Sequence, residues 1–230
     1  MYLSKVEIDI NNRKKMRDLK HLGCYHGWIE NSFPNEREKT KEKRVRKLWR
    51  IDKVDQKYFL LILSEKKPDY EKLEKYGLKN SATSKDYDQF LDSLEEGTRA
   101  RFRIKLNTVK SHSDRNKYKK RGRILPVALD ELNSFFLEKA LKNGFAVKDD
   151  EFSITKRDEE FFMHGDENDK KKSKQTILSA TYEGILTITD LGKFKQGLVN
   201  GIGKKKAYGC GFLTIIPIKW KKYQEQKRPN

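Results

Sequence analysis

Long apolar runs are missing from this chain. No stretch approaches the roughly 20 consecutive apolar residues that a spanning helix requires, and the mean hydropathy is −0.93, so no membrane partner is expected. Cysteine is nearly absent. Cys24 and Cys210 are the only two, they stand far apart, and neither belongs to a Cys-x-x-Cys or Cys/His spacing, so the sequence predicts free thiols, no metal and no cofactor. Acidic residues are in deficit: 34 Asp and Glu face 52 Lys and Arg, a formal charge of +18 over 230 residues. Such a surplus points to a polyanionic partner, with nucleic acid the leading class. The opening Met-Tyr-Leu-Ser-Lys-Val-Glu-Ile-Asp-Ile alternates apolar and polar residues, which reads as a strand and not as a signal peptide, so a cytoplasmic protein is expected.

What is present is charge placed with order. Residues 201–215 bracket Lys204, Lys205 and Lys206 with Gly201, Gly203, Gly209 and Gly211, directly ahead of an apolar strand. Glycines without Cβ let a loop adopt φ > 0 and bring N–H groups near phosphate oxygens while the lysines supply charge. The same pattern also suits an ordinary glycine turn with solvated lysines, since no Walker Lys-Ser pair accompanies it. A second signal lies at 98–106, where Arg99, Arg101, Arg103 and Lys105 share one strand face and Ala100, Phe102, Ile104 and Leu106 the other. Same-face neighbours on a strand are roughly 6.5–7 Å apart, so four cations in a row make sense where a polyanion neutralises them. Between Arg99 and Arg123 there are eleven Lys or Arg and one acidic residue, Asp114. Lys110, Lys117, Lys119, Lys120 and Arg121 continue the basic stretch. With no helix-turn-helix, zinc finger or basic zipper, sheet-borne charge favours RNA over duplex DNA.

The order of elements predicts two βαββαβ halves, an α+β fold with antiparallel sheets. In residues 1–95 a strand carries Val6, Ile8 and Ile10, Asn11 or Asn12 caps a helix bearing Met16, Leu19 and Leu22, and 45–51 pairs with 58–63. A helix starts at Pro68-Asp69, Asn80 to Ser84 reads as polar loop, and Tyr87 to Leu94 fits either helix or strand. In residues 96–218 the strand 98–106 precedes a helix from Asp130 to Lys142 with Leu132, Phe135, Phe136 and Leu141 inward, stopped by Gly144. Strands at 152–163 and 175–189 follow, then a short helix from Asp190 to Leu198, the glycine loop and a strand at 208–217. Residues 219–230 read as a basic, flexible tail.

RNA carries its own nucleophile, the 2′-OH, so cleavage without a metal needs a proton acceptor, a proton donor and cations around the phosphate. Four histidines are available. His26, in Gly-Cys-Tyr-His-Gly-Trp beside Tyr25, fits either a partly buried structural residue or a proton carrier. His21 reads as a surface helix residue, His112 lies in the basic loop, and His164 at a hairpin tip. Tyr208 and Phe212 are candidates for base stacking, with a core role equally open for Phe212.

Met1-Tyr2-Leu3-Ser4-Lys5-Val6, the histidine followed by Phe33-Pro34-Asn35, Arg101-Phe102-Arg103-Ile104-Lys105-Leu106-Asn107, Tyr182-Glu183-Gly184-Ile185-Leu186-Thr187-Ile188 and the loop from Gly201 to Gly211 resemble, in that order, the CasE family over residues 1 to about 217. These are CRISPR RNA-processing endoribonucleases of type I-E Cascade. The resemblance implies tandem ferredoxin-like RAMP domains. It also implies metal-free cleavage on the 3′ side of a CRISPR repeat stem-loop, and continued binding of the guide RNA among other Cascade subunits. It assigns the catalytic role to His26. Where some members carry a tyrosine three residues before that histidine, this chain has Gly23, and the adjacent Tyr25 is the second catalytic candidate instead. The family's RNA-gripping β-hairpin corresponds to residues 152–189, with Lys156, Arg157 and Lys170 to Lys174 as candidate contacts.

Overall fold

The structure is a computed structural model that describes residues 1–37, 46–112, 123–164 and 173–218. Its first sheet has the order β2-β3-β1-β4, all antiparallel. The strands are β1 (Tyr2–Glu7), β2 (Leu48–Val54), β3 (Lys57–Ser64) and β4 (Thr83–Asp86); α1 (Arg13–Asp18), α2 (Leu22–Asn31) and α3 (Pro34–Arg37) lie between β1 and β2, and α4 (Tyr70–Leu73) between β3 and β4. Asn12 caps α1 by accepting from Lys15 N–H at 3.2 Å. The expected single helix is two, because α1 ends at Asp18 and Leu22 opens α2. Val6 and Ile8 are buried, whereas Ile10 lies past the strand and is exposed. The fourth strand comes from the stretch read as polar loop. It is an edge strand with mostly exposed residues, held by its ladder to β1 and by the Ser4–Ser84 hydroxyl pair at 2.7 Å. An edge strand needs no apolar alternation. The ambiguous segment behind it is helical, α5 (Asp88–Asp92).

The second sheet repeats the same order with β11-β5-β10-β8, taken from β5 (Arg99–Asn107), β8 (Phe145–Ala146), β10 (Ser173–Ile188) and β11 (Thr214–Pro217), with α6 (Leu132–Lys142) and α7 (Leu191–Asn200) between them. A further strand, β9 (Phe152–His164), pairs with β10 along nearly its whole length and forms a long hairpin. Strands β6 (Val109–His112) and β7 (Arg123–Pro126) make a separate two-stranded ribbon. Phe135 and Phe136 of α6 pack inward as the helical period requires, but Leu141 is 67% exposed. It stands one residue beyond Ala140, on the turn facing solvent. The strand expected from 208 begins only at Thr214, after a 3-10 turn at Lys206–Tyr208.

Two apolar cores result, and each draws on both halves. Leu48 and Leu63 of the first sheet pack with Phe102, Ile104 and Phe212, while Phe162, Ile177 and Cys210 join Trp28, Ile29 and Trp49. Between the sheets the buried Arg50 guanidinium donates to the Arg103 carbonyl and the Phe212 carbonyl, each at 2.9 Å, to Thr214 Oγ1 at 2.9 Å, and to both oxygens of Asp52.

Candidate active site and nucleic-acid interface

Helix α2 carries His26. It begins at His21, which caps it: Nδ1 accepts from the Gly23 N–H at 3.1 Å. His21 is thus a cap residue and not a surface helix position. Trp28 and Ile29 anchor the inner face, with Trp28 Nε1 donating to the Leu73 carbonyl at 3.0 Å. His26 is half-buried on the side that meets the glycine loop. Its ring centroid is 5.8 Å from that of Tyr208, with planes tilted by 56°. Tyr208 in turn stacks on Phe162 of β9, centroids 3.8 Å apart and planes 20° from parallel. Lys205 places Nζ 4.6 Å from the Phe162 centroid and 5.8 Å from that of Tyr208. Three segments remote in sequence, α2, the glycine loop and the β9–β10 hairpin, are therefore linked by ring contacts that run from His26 to Tyr208 to Phe162.

Tyr25 follows another direction, as a step of roughly 100° around a helix requires. Its ring lies 6.0 Å from Trp49 and 6.4 Å from Trp28, and it lines a cavity of about 840 Å³ between the two sheets. Burial raises the Tyr25 phenol, with the charges of Cys24 and Glu160 adding to the shift. The phenol-bearing ring that meets His26 is that of Tyr208.

All four loop glycines have positive φ, from +71° to +86°. At Gly211, with φ +82°, a Cβ would fall 2.4 Å from the Ile202 carbonyl oxygen, so both conformation and space demand glycine. The backbone use differs from the expected cradle in one respect. The N–H of Gly201 donates to the Gly197 carbonyl and that of Gly211 to the Lys105 carbonyl, so these two are taken by the fold and do not face a ligand. Gly209 packs on the Trp49 ring, and Trp49 Nε1 donates to the Ala207 carbonyl at 2.9 Å, which docks the loop onto β2. Lys204 and Lys205 are exposed. Lys206 is half-buried and donates to the Asn200 carbonyl at 2.7 Å; burial, then the nearby Arg46 charge, lowers its pKa.

The basic strand differs from its sequence reading. Its apolar face is buried as expected, but the other face is not an unanswered row of cations. Arg99 pairs with Glu151, Arg103 with Asp52 at 3.3 Å and Glu183 at 3.0 Å, and Lys105 with Glu160 and with Asp158 at 3.8 Å. Strand β5 itself contains no acid; its acidic partners arrive from β2, β9, β10 and the segment before β9. Burial opposes ionisation of Asp52, yet hydrogen bonds and charge from Arg50 and Arg103 hold its carboxyl below the usual range. Among the described residues Arg101 has no ion pair, and neither does the exposed Arg157. Lys156 pairs with Asp158 at 2.8 Å and Lys110 with Glu131 at 3.2 Å. Lys174 sits 4.5 Å over the Phe161 ring. Lys117, Lys119, Lys120 and Arg121, the hairpin lysines 170–172 and the basic tail lie outside the described residues. His164 is exposed at the end of β9, and His112 ends β6. Phe212 is a core residue, fully buried beneath Arg50. Sequence reading missed Phe162 and Trp49 as the supports of the loop; their signal is only that each is a large aromatic in a strand.

Among the described residues no group of three or more His, Cys, Asp or Glu is gathered as a metal site, and no helix is long and apolar enough to cross a membrane.

The fold recurs in solved structures. Cse3 of Thermus thermophilus, bound to an RNA representing a pre-cleavage complex, superposes with a TM-score of 0.71 at 21% identity, covering 94% of this chain and 98% of that one. Cas6e of Escherichia coli K-12 gives 0.62 at 25% identity, covering 95% and 100%. In sequence, the Cascade subunit CasE of Escherichia coli K12 is 29% identical over 130 residues, which spans 54% of this chain and 61% of that protein. The α+β fold of two ferredoxin-like halves with antiparallel sheets and the CasE resemblance are borne out by these matches. With a family model that runs unbroken through both sheets, from residue 1 to residue 217, this chain belongs to the family of CRISPR associated proteins.

Proposed function

We propose that this chain is an endoribonuclease that cleaves precursor CRISPR RNA at the repeat stem-loop, without a metal ion, and stays bound to the guide RNA alongside other Cascade subunits. Residues 1–95 carry the imidazole and residues 96–218 the hairpin and loop that hold the RNA. His26 exchanges a proton with the ribose 2′-OH or with the 5′-oxygen leaving group. The 2′-oxygen attacks the adjacent phosphorus, the P–O5′ bond breaks, and the products are a 2′,3′-cyclic phosphate and a 5′-hydroxyl. Exposed lysines of the glycine loop neutralise the charge that builds on the phosphorane.

The observation that carries this reading is the line of ring contacts from His26 of α2 through Tyr208 to Phe162 of the β9–β10 hairpin, beside a loop presenting Lys204 and Lys205 to solvent. It is supported by the RNA-bound Cse3 structures to which the fold is similar. RNA contacts are assigned to Arg101, Arg157, Lys174, Lys204 and Lys205, whose charges no carboxylate answers among the described residues. Arg99, Arg103, Lys105 and Lys156 contribute through their paired networks.

A positioned proton-transfer group is worth about 10²–10⁴ in rate. His26→Ala is therefore expected to slow single-turnover cleavage of labelled repeat RNA in EDTA by that factor, with the dissociation constant for the RNA preserved. Undiminished cleavage by the variant would remove His26 from the mechanism. Intact RNA under saturating wild-type protein would leave a binding scaffold.

A further inference from the structure

We infer that Tyr208, and not Tyr25, is the aromatic residue that positions His26 for proton transfer. The inference rests on the reading above, in which His26 moves the proton.

Proton transfer demands that the imidazole nitrogen stay within hydrogen-bond reach of a ribose oxygen or a leaving oxygen, so whatever limits rotation of the His26 ring contributes to the rate. The ring of Tyr208 meets it at 5.8 Å between centroids. Tyr208 is itself fixed from several directions. Phe162, only 4% exposed, covers one face at 3.8 Å. The 3-10 turn bearing Tyr208 is flanked by two residues in the left-handed region, Lys205 with φ 58° and Gly209 with φ 79°. The Tyr208 N–H closes that turn onto the Lys205 carbonyl at 2.9 Å, and the Ala207 carbonyl is held by Trp49. A non-glycine residue in that conformation is strained and persists where the surroundings over-determine it. Here the surroundings are the aromatic stack, with the Lys205 ammonium drawn over Phe162. Tyr25, by contrast, has its ring against Trp49 and Trp28 and lines the cavity between the sheets. With one face of Tyr208 already occupied by Phe162, the ring is better placed to brace the imidazole than to stack on a base.

The test compares His26→Ala, Tyr208→Phe, Tyr208→Leu, Phe162→Leu and Tyr25→Phe in single-turnover cleavage and in equilibrium binding of the same repeat RNA. His26 ring-proton signals are followed by NMR. Tyr208→Leu is expected to slow the chemical step by about 10²-fold, the loss typical of a misplaced catalytic group, with RNA affinity retained. Tyr208→Phe keeps the aromatic ring and is expected to cleave at close to the wild-type rate, and Tyr25→Phe likewise. The ring-current shift on the His26 protons is expected to persist in Tyr208→Phe and vanish in Tyr208→Leu. Phe162→Leu, which leaves Tyr208 in place but removes its support, is expected to fall between the two and reads the same effect should Tyr208→Leu fail to fold. Full cleavage by Tyr208→Leu beside an inactive His26→Ala overturns this inference alone. A loss of RNA affinity by Tyr208→Leu that matches its loss of rate also overturns it, making Tyr208 a base-stacking residue. Full cleavage by His26→Ala overturns the reading of the site itself.

Discussion

Two regions of this molecule concentrate positive charge, and they treat it in opposite ways. On the charged face of β5, Arg99, Arg103 and Lys105 are met by Glu151, Asp52, Glu183, Glu160 and Asp158. At the junction of α2, β9 and the glycine loop, Lys205 and Lys174 are met by the rings of Phe162, Tyr208 and Phe161. A carboxylate cancels a cation's field, while a ring steadies the ammonium and leaves its charge available. The first region uses charge to tie β5 to its neighbours in the second sheet and, through Arg103 and Asp52, to the first sheet, while the second leaves its charge available to the RNA proposed as partner. A charge count along the sequence cannot separate these uses, because pairing partners come from other strands.

The contrast is broken most severely at Arg50. Its guanidinium is 5% exposed and bonds to both sheets, so Arg50→Leu leaves the Phe212 carbonyl and the Asp52 carboxylate without it. A loss of about 3–5 kcal/mol in urea unfolding is expected, as for one member of a buried ion pair. A near-neutral result would show the joint to be held by apolar contacts alone. The loop is the next target. Lys204→Gln with Lys205→Gln is expected to flatten the dependence of log K on log salt by about 0.7–0.9 per lysine. The same exchange at Arg103 should lower stability and leave the salt slope nearly unchanged; equal slopes for both would erase the distinction. The smallest effect is set by pH. The Asp52 carboxyl is held below its unfolded value, so its stabilisation is complete above the ordinary aspartate value of about 4 and fades as pH falls through the lower folded value. The stability gap between wild type and Asp52→Asn should therefore narrow in acid, and a gap constant from about pH 6 to about pH 3 would contradict the assigned pairing.

Much of the fold is legible in the sequence because the buried faces obey simple periods. The alternation Ala100, Phe102, Ile104, Leu106 and the helical spacing of Leu132, Phe135 and Phe136 place the second core directly. Thr83–Asp86 escapes that reading because an edge strand can be polar throughout, and Phe145–Ala146 because two residues carry no period. The glycine loop announces its left-handed turns through composition. Its docking on Trp49 is invisible, since the partner lies some hundred and fifty residues away, 158 for the Trp49–Ala207 bond. The candidate site is half legible. His26 is named by its motif, whereas the aromatic ring of Tyr208 arrives from the far end of the chain and is masked by Tyr25, the sequence neighbour whose ring lies against Trp49 and Trp28.

The interlocked cores bear on how such a chain can be divided. Leu48 and Leu63 complete the apolar interior of the later half, and Phe162, Ile177 and Cys210 complete that of the earlier one. A cut after Glu95 would strip each fragment of side chains its own interior lacks and lay bare sticky surface on both. The chain is thus two ferredoxin-like halves by topology whose apolar interiors are shared: copies in outline, each finished by side chains of the other.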